Sequence, residues 1–130
     1  MQKLPLFIVI AALPFLLTGM RARADETCEM LSPAGGKAQV HVELPAGQPE
    51  KAYCVRVEKG QHLAAEISNP QGVEPSGRVI SPSGEMDGGP GGSFYKGQTQ
   101  ESGTYRIEVG QRGPKRAGSC DLTVKITPQP

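Results

Sequence analysis

Short segments in which apolar and polar residues alternate recur along the chain from residue 38 onward. In the first, Val40, Val42 and Leu44 alternate with polar neighbours, which is typical of a strand with one buried face. Six further short segments are predicted to be strands, and in four of them apolar and polar residues alternate in the same way. They are defined by Tyr53, Val55 and Val57; Leu63, Ala65 and Ile67; Arg78–Ser81; Phe94–Tyr95; Tyr105, Ile107 and Val109; and Cys120, Leu122, Val124 and Ile126.

Turn and loop signals separate these strands. Lys59-Gly60-Gln61 predicts a tight turn that makes a hairpin, and Glu101-Ser102-Gly103 predicts another turn. Residues 68–77 and 110–118 are expected to be loops, the second of them basic. Residues 82–92 are rich in Gly and Pro and are expected to form a flexible loop. Strands at this spacing, with no segment of helical period, predict an all-β fold: an antiparallel β-sandwich of about seven or eight short strands.

Composition excludes a helix bundle and predicts a thin core. The chain has 17 Gly and 12 Pro, the two poorest helix formers. It has no Trp, and two of its three Phe lie before residue 25. The core is therefore expected to consist mainly of Val, Ile, Leu and Ala.

The first 24 residues have the pattern of a secretory signal peptide. Lys3 is followed by the apolar run Leu4–Leu17, and Ala22-Arg23-Ala24 forms an A-x-A cleavage site. The run is shorter than the roughly 20 residues that cross a membrane. We expect cleavage after Ala24, export to the periplasm or beyond, and no membrane span in the mature protein. Residues 25–37 are expected to form an N-terminal arm, 38–127 the sandwich domain and 128–130 a short tail.

Three cysteines remain in the mature chain, so an oxidising compartment would pair two of them. We expect one disulfide that includes Cys28, with Cys120 as the favoured partner and Cys54 as the alternative. Alternation places Cys54 on the polar face of its strand and Cys120 on the inward face. These two side chains should therefore point apart.

Charge gives no indication of nucleic-acid binding. The whole chain carries 14 Lys and Arg against 13 Asp and Glu, a net charge of +1. Loss of Lys3, Arg21 and Arg23 with the leader would leave 11 basic and 13 acidic residues, a net charge of −2. A nucleic-acid-binding domain is typically far more basic.

No group of residues has the pattern of a catalytic or metal site. His41 and His62 both fall on outward strand faces, where solvated side chains are expected. Glu85 and Asp87 lie in the glycine-rich segment 84–92, but two acids without further oxygen ligands are weak evidence for Ca²⁺, and whether it binds there stays open. We therefore predict that the protein is not an enzyme and carries no cofactor, and we assign no metal-ligating residues.

Three motifs resemble the bacterial pre-peptidase C-terminal (PPC) domain family across about residues 38–127. They are the aromatic strand and turn Tyr53–Gln61, the loop Pro82-Ser83-Gly84, and the turn and strand Ser102–Val109. The resemblance implies a PPC-like, jelly-roll-like sandwich.

Within this fold, the order of motifs is closest to the periplasmic inhibitors of g-type lysozyme. The shared features are Y-x-x-x-x-x-K-G-Q at Tyr53–Gln61, S-G-x-Y at Ser102–Tyr105, and R-x-x-x-R at Arg112–Arg116, followed by a closing strand. The resemblance implies that the S-G-x-Y loop enters the cleft of the enzyme.

The residues expected to bind a partner are therefore Ser102, Gly103, Tyr105, Arg112, Lys115 and Arg116. Arginine suits an acidic cleft because its planar guanidinium can hold a carboxylate through two hydrogen bonds. Each segment also has a simpler interpretation: Gly103 as a turn residue, Tyr105 as a core residue, and the basic loop as a solvated loop. The alternative function is a PPC-like structural or accessory module of the cell envelope with no lysozyme target. A monomer or a weak dimer is expected.

Overall fold

The computed structural model describes residues 28–47, 50–113 and 116–128, and these form nine strands. The strands are β1 (Glu29–Met30), β2 (Lys37–Leu44), β3 (Glu50–Val57), β4 (His62–Gln71), β5 (Pro75–Ile80), β6 (Met86–Pro90), β7 (Gly92–Gln98), β8 (Gly103–Gln111) and β9 (Gly118–Thr127). Within these ranges there is no helix long and apolar enough to cross a membrane. The predicted leader, residues 1–24, lies outside the described residues.

The strands form two sheets, which confirms the predicted all-β sandwich. One sheet has the order β1-β3-β8-β5-β6, and the other has the order β2-β9-β4-β7. All pairings are antiparallel except that of β1 with β3. Strand β8 lies at the centre of its sheet, with Val57 opposite Gly103 and Glu50 opposite Gly110. This register determines which loops meet at each end of the sandwich.

The core lies between the sheets and contains the residues that alternation placed inward. Buried residues come from seven of the nine strands, and aliphatic side chains predominate among them. The predominant members are Val42, Leu44, Val55, Val57, Leu63, Ala65, Ile67, Val79, Ile107, Val109, Leu122 and Val124. Tyr53, Phe94 and Tyr105 add aromatic surface to this cluster. Alternation along each strand thus buries one face against the opposite sheet.

Two segments that were predicted to be loops contain strands, and the prediction of loops there was wrong. Within residues 82–92, Met86–Pro90 forms β6. Within residues 68–77, β4 extends to Gln71 and β5 begins at Pro75. The prolines occupy places that a strand tolerates. Pro75 begins its strand, Pro90 lies on an edge strand, and Pro70 falls where the pairing of β4 with β9 shifts register.

The disulfide joins Cys28 to Cys54, so the favoured pairing of Cys28 with Cys120 was wrong and the alternative is correct. The two Cα atoms lie 5.6 Å apart. Cys54 faces away from the core cluster, as alternation predicted, and β1 runs parallel to β3 with Met30 opposite Cys54. The arm therefore brings Cys28 to the outer face of the sheet. Cys120 remains a free, buried thiol inside the sandwich.

Candidate partner-binding site

Ser102 lies in an exposed turn at one end of the sandwich, immediately before β8. Three connections meet at this end: β3 to β4, β5 to β6, and β7 to β8. The Ser102 hydroxyl oxygen accepts a hydrogen bond from the Lys59 backbone N–H at 2.8 Å. The K-G-Q turn and the S-G-x-Y turn, 43 residues apart in sequence, are thus joined directly.

Gly103 is required by the shape of this turn. Its φ is +147°, in the region that favours glycine. A Cβ at this position would come within 2.8 Å of Pro82 Cγ. The S-G-x-Y turn therefore rests directly on the loop that contains Pro82.

Tyr105 supports the turn from within the core. Its side chain is buried, with only 2% of the residue exposed, and its hydroxyl donates a hydrogen bond to the Glu101 carbonyl at 2.8 Å. Burial raises the pKa of this phenol. A side chain with its ring in the core and its hydroxyl already bonded positions the turn and does not present a surface to a partner.

Glu101 and Thr99 complete the network at this end, and sequence reasoning missed both. The Glu101 carboxylate accepts hydrogen bonds from the Ser83 hydroxyl at 2.5 Å and the Ser83 backbone N–H at 3.3 Å. These bonds hold the pKa of Glu101 below its ordinary value. Thr99 is buried, and its hydroxyl donates toward the carbonyls of Glu58 and Gln61 at 2.9 and 3.0 Å. The sequence did contain one indication, since both residues lie within three positions before Ser102, the first residue of the S-G-x-Y motif.

The basic loop lies at the other end of the sandwich. The Arg112 backbone N–H donates to the Glu74 carbonyl at 2.8 Å. Arg116 is held by Gln111, whose amide accepts from the Arg116 N–H at 3.0 Å and donates to its carbonyl at 2.6 Å. Strand β8 separates this loop from Ser102 by ten residues, roughly 30 Å of extended chain. Lys115 lies outside the described residues.

The predicted site residues therefore form two groups. Ser102, Gly103 and Tyr105 lie together at the turn end. Arg112 and Arg116 lie together at the opposite end, where they line a cleft of about 330 Å³. The structure does not bring the two groups to one surface.

His41 lies in a hydrogen-bonded cluster on the outer face of the four-stranded sheet. Its Nδ1 is 2.9 Å from Asp121 Oδ1, and its Nε2 is 2.8 Å from Glu43 Oε2. Asn69 donates to the other oxygen of Asp121 at 2.9 Å. Across residues 28–47, 50–113 and 116–128, no three His, Cys, Asp or Glu side chains are grouped to hold a metal ion.

Comparison with known proteins identifies relatives of the fold. No protein-family model matches the chain, and no curated protein sequence matches it. The structure is similar to PliG from Aeromonas hydrophila, a periplasmic inhibitor of g-type lysozyme. The TM-score is 0.64 at 21% identity, covering 78% of this chain and 96% of that chain. PliG from Salmonella Typhimurium has a TM-score of 0.59 at 17% identity, covering 78% of this chain and all of that chain.

The structure is also similar to the pre-peptidase C-terminal domain of collagenase from Bacillus anthracis. Its TM-score is 0.58 at 14% identity, covering 75% of this chain and 94% of that domain. These likenesses confirm the PPC-like sandwich that the sequence motifs predicted. At such low identity, they establish the fold alone.

Proposed function

We propose that this protein is a periplasmic or secreted binding protein that inhibits g-type lysozyme by inserting the Ser102–Gly103 turn into the enzyme's cleft. The observation that carries the proposal is the construction of this turn. It is exposed, yet it is fixed by Lys59, Pro82 and the buried Tyr105. Fold similarity to PliG from two species supports the same role.

Rigidity is what makes such a turn suitable for a cleft. A flexible loop loses conformational entropy when it binds, whereas a turn already held by hydrogen bonds loses little. Ser102 keeps an exposed position while its oxygen accepts from Lys59, so the turn presents its shape without rearrangement. In this proposal Ser102 and Gly103 contact the enzyme, and Tyr105 positions them.

The proposed location rests on two features. The leader pattern of residues 1–24 is that of an exported protein. The bond between Cys28 and Cys54 is of a kind that persists in oxidising compartments such as the periplasm.

We also propose that the protein has no catalytic activity of its own. The Cys120 thiol is buried, and burial raises its pKa to about 11, so it is a poor nucleophile at neutral pH. Both ring nitrogens of His41 are already paired with carboxylates. Neither group is placed to begin a reaction on a bound substrate.

The test measures residual activity of g-, c- and i-type lysozymes against the concentration of the purified protein. We expect inhibition of the g-type enzyme. Ser102→Arg places a long charged side chain on the turn and should raise the half-inhibiting concentration by at least about tenfold. The control is Ser93→Arg, the same change at an exposed serine on β7.

Full activity of all three lysozymes at micromolar excess of the wild-type protein would refute the proposal. The PPC-like accessory module would then be the better description. Equal weakening by Ser102→Arg and Ser93→Arg would refute the assignment of the turn while leaving inhibition itself intact.

A further inference from the structure

Strand β6 is an edge strand whose outer backbone groups have no strand partner. It is the last strand of the five-stranded sheet and pairs only with β5 among the described strands. Two hydrogen bonds flank this hairpin: Gly91 N–H to Pro75 O at 3.0 Å, and Ser81 N–H to Glu85 O at 2.8 Å. From these two bonds one can tell which residues of β6 direct their backbone N–H and C=O groups toward β5.

In an antiparallel ladder, every second residue pair exchanges both backbone hydrogen bonds. Counting inward from Pro75–Gly91 or from Ser81–Glu85 gives the same bonded pairs, Gly77–Gly89 and Val79–Asp87. The N–H and C=O groups of Met86 and Gly88 must therefore point away from β5, toward the open edge. Among the described residues, no strand pairs with the backbone N–H and C=O groups of Met86 and Gly88 at this edge.

A shallow groove of about 460 Å³ is lined by residues of β5 and β6, and we call it the β6 groove. Its lining includes Arg78, Met86, Gly88, Pro90 and Arg112. Met86 is one of two large hydrophobic side chains that are exposed in the described part of the chain. Position 88 requires glycine, because a Cβ there would lie 2.2 Å from the Gly77 carbonyl oxygen of β5, and this part of β6 therefore presents bare backbone. A bare backbone in a strand permits close approach by another backbone.

The two arginines of the β6 groove differ in their charge balance. Arg78 is neutralised by Glu108 at 2.5 Å and Glu50 at 3.6 Å. The described residues place no carboxylate within ion-pair distance of the Arg112 guanidinium. The Arg112 backbone is nevertheless fixed, because its N–H is bonded to Glu74. Asp87 also lines the β6 groove, but among the described residues the Arg112 guanidinium has no ion-pair partner, so its positive charge remains available to an anionic ligand.

We propose that the β6 groove binds an extended peptide that carries a carboxylate. The peptide adds as a strand to β6 through the backbone groups of Met86 and Gly88. Its carboxylate, from the C-terminus or an acidic side chain, pairs with the Arg112 guanidinium, which can grip it bidentately. This site is separate from the Ser102 turn and does not depend on the protein being a lysozyme inhibitor.

The test follows backbone amide chemical shifts of ¹⁵N-labelled protein during titration with an acetylated tetrapeptide of alternating threonine and valine. The probe has a free C-terminal carboxylate, and its C-terminal amide and inorganic phosphate are titrated separately. We expect the Met86 and Gly88 amides to shift most, and the Asp87 and Gly89 amides less, because the latter already donate to β5. The peptide amide and the Arg112→Gln variant should each bind at least about tenfold more weakly than the free acid and the wild type. Arg56→Gln, which removes an exposed arginine from β3, is the matched control and should bind normally.

Three results would overturn the proposal. The first is no shift at Met86 or Gly88 with free-acid peptide up to about 5 mM, a concentration that detects even millimolar affinity. The second is an equal response to phosphate alone, which would identify a simple anion site. The third is concentration-dependent broadening of these amides without peptide, which would show that a second copy of the chain occupies the edge.

Discussion

Ser102 and Arg112 lie at opposite ends of β8, separated by roughly 30 Å of extended chain. The strand pairs with β3 without a register shift from Val57–Gly103 to Glu50–Gly110. The S-G-x-Y and R-x-x-x-R segments therefore cannot enter one cleft from the same side.

This separation predicts different outcomes for charge reversal and for substitution of the turn. Ser102→Arg should weaken inhibition of g-type lysozyme strongly. Arg116→Glu should change the half-inhibiting concentration by less than about threefold. The Arg116 side chain lies at the opposite end of the sandwich from Ser102, much farther away than the screening length of roughly 8 Å at physiological ionic strength. Inhibition assays on both variants decide the matter. The reverse pattern would assign the contact to the basic end.

Gly103→Ala should destabilise the fold as well as the turn. The strained φ and the contact with Pro82 together should lower the free energy of unfolding by about 1–3 kcal/mol. Each kcal/mol corresponds to about 4–8 °C in Tm for a domain of this size. Thermal unfolding should be compared with that of Gly97→Ala, where the added methyl meets no atom within 4 Å. An unchanged Tm for Gly103→Ala would show that the turn adapts.

Loss of the disulfide should lower stability without abolishing the fold. Cys28 and Cys54 are 26 residues apart, which in the chain-entropy model corresponds to about 3–4 kcal/mol. Urea unfolding of the oxidised protein and of Cys28→Ser measures the difference. Equal midpoints would mean that the bond contributes nothing to stability.

Cys120 should resist alkylation in the native protein. It is fully buried, and desolvation raises its pKa to about 11. We expect iodoacetamide to label it only after unfolding, and peptide mapping without reduction to recover the Cys28–Cys54 pair. Rapid labelling of Cys120 under native conditions would contradict its burial, and a Cys28–Cys120 peptide would contradict the pairing.

The His41 cluster should make stability depend on pH. Hydrogen bonds to Asp121, which has the larger effect, and to Glu43 raise the pKa of His41 above its ordinary value of 6.5. The stabilisation is therefore fully present below 6.5 and is lost as pH rises through the raised pKa. Bonds from Asn69 and His41 lower the pKa of Asp121 below 3.8, so its contribution is present above 3.8 and is lost as pH falls through the lowered pKa.

The measurement compares the Tm of the wild type and His41→Gln within the window from 3.8 to 6.5 and again well above it. The difference between the two proteins should shrink at the higher pH. In an Asp121→Asn background the pH dependence should weaken, because the main partner is gone. The same Tm difference at both pH values would contradict the role of the cluster.

Alternation predicted the core strands well, because burial of one face is a local property of the sequence. Val42, Leu63 and Ile107 lie where the period of two placed them. Strand β6 was missed because Met86–Pro90 has no β-branched residue and depends on its ladder with β5. Strand β1 was missed because it has only two residues, and this omission made the choice of disulfide partner wrong.

The site was harder to predict than the fold. The S-G-x-Y turn could be located by resemblance, but its supports come from distant loops. Lys59 and Ser102 are joined across 43 residues, and Ser83 and Glu101 across 18. No local pattern specifies such pairs. The distance between Ser102 and Arg116 also could not be read from a sequence in which the two are 14 residues apart.

The position of the disulfide has a consequence for how the protein matures. Cys54 faces away from the core. Strand β1 lies beside Cys54 by pairing with β3, so it can take this position only once β3 has formed. The sandwich interior is held by noncovalent contacts alone, so it can close while both cysteines are still reduced. Formation of the Cys28–Cys54 disulfide would then be the last step, and it would link the N-terminal arm to a sandwich that has already folded. The buried Cys120 would by that stage be shielded from mispairing.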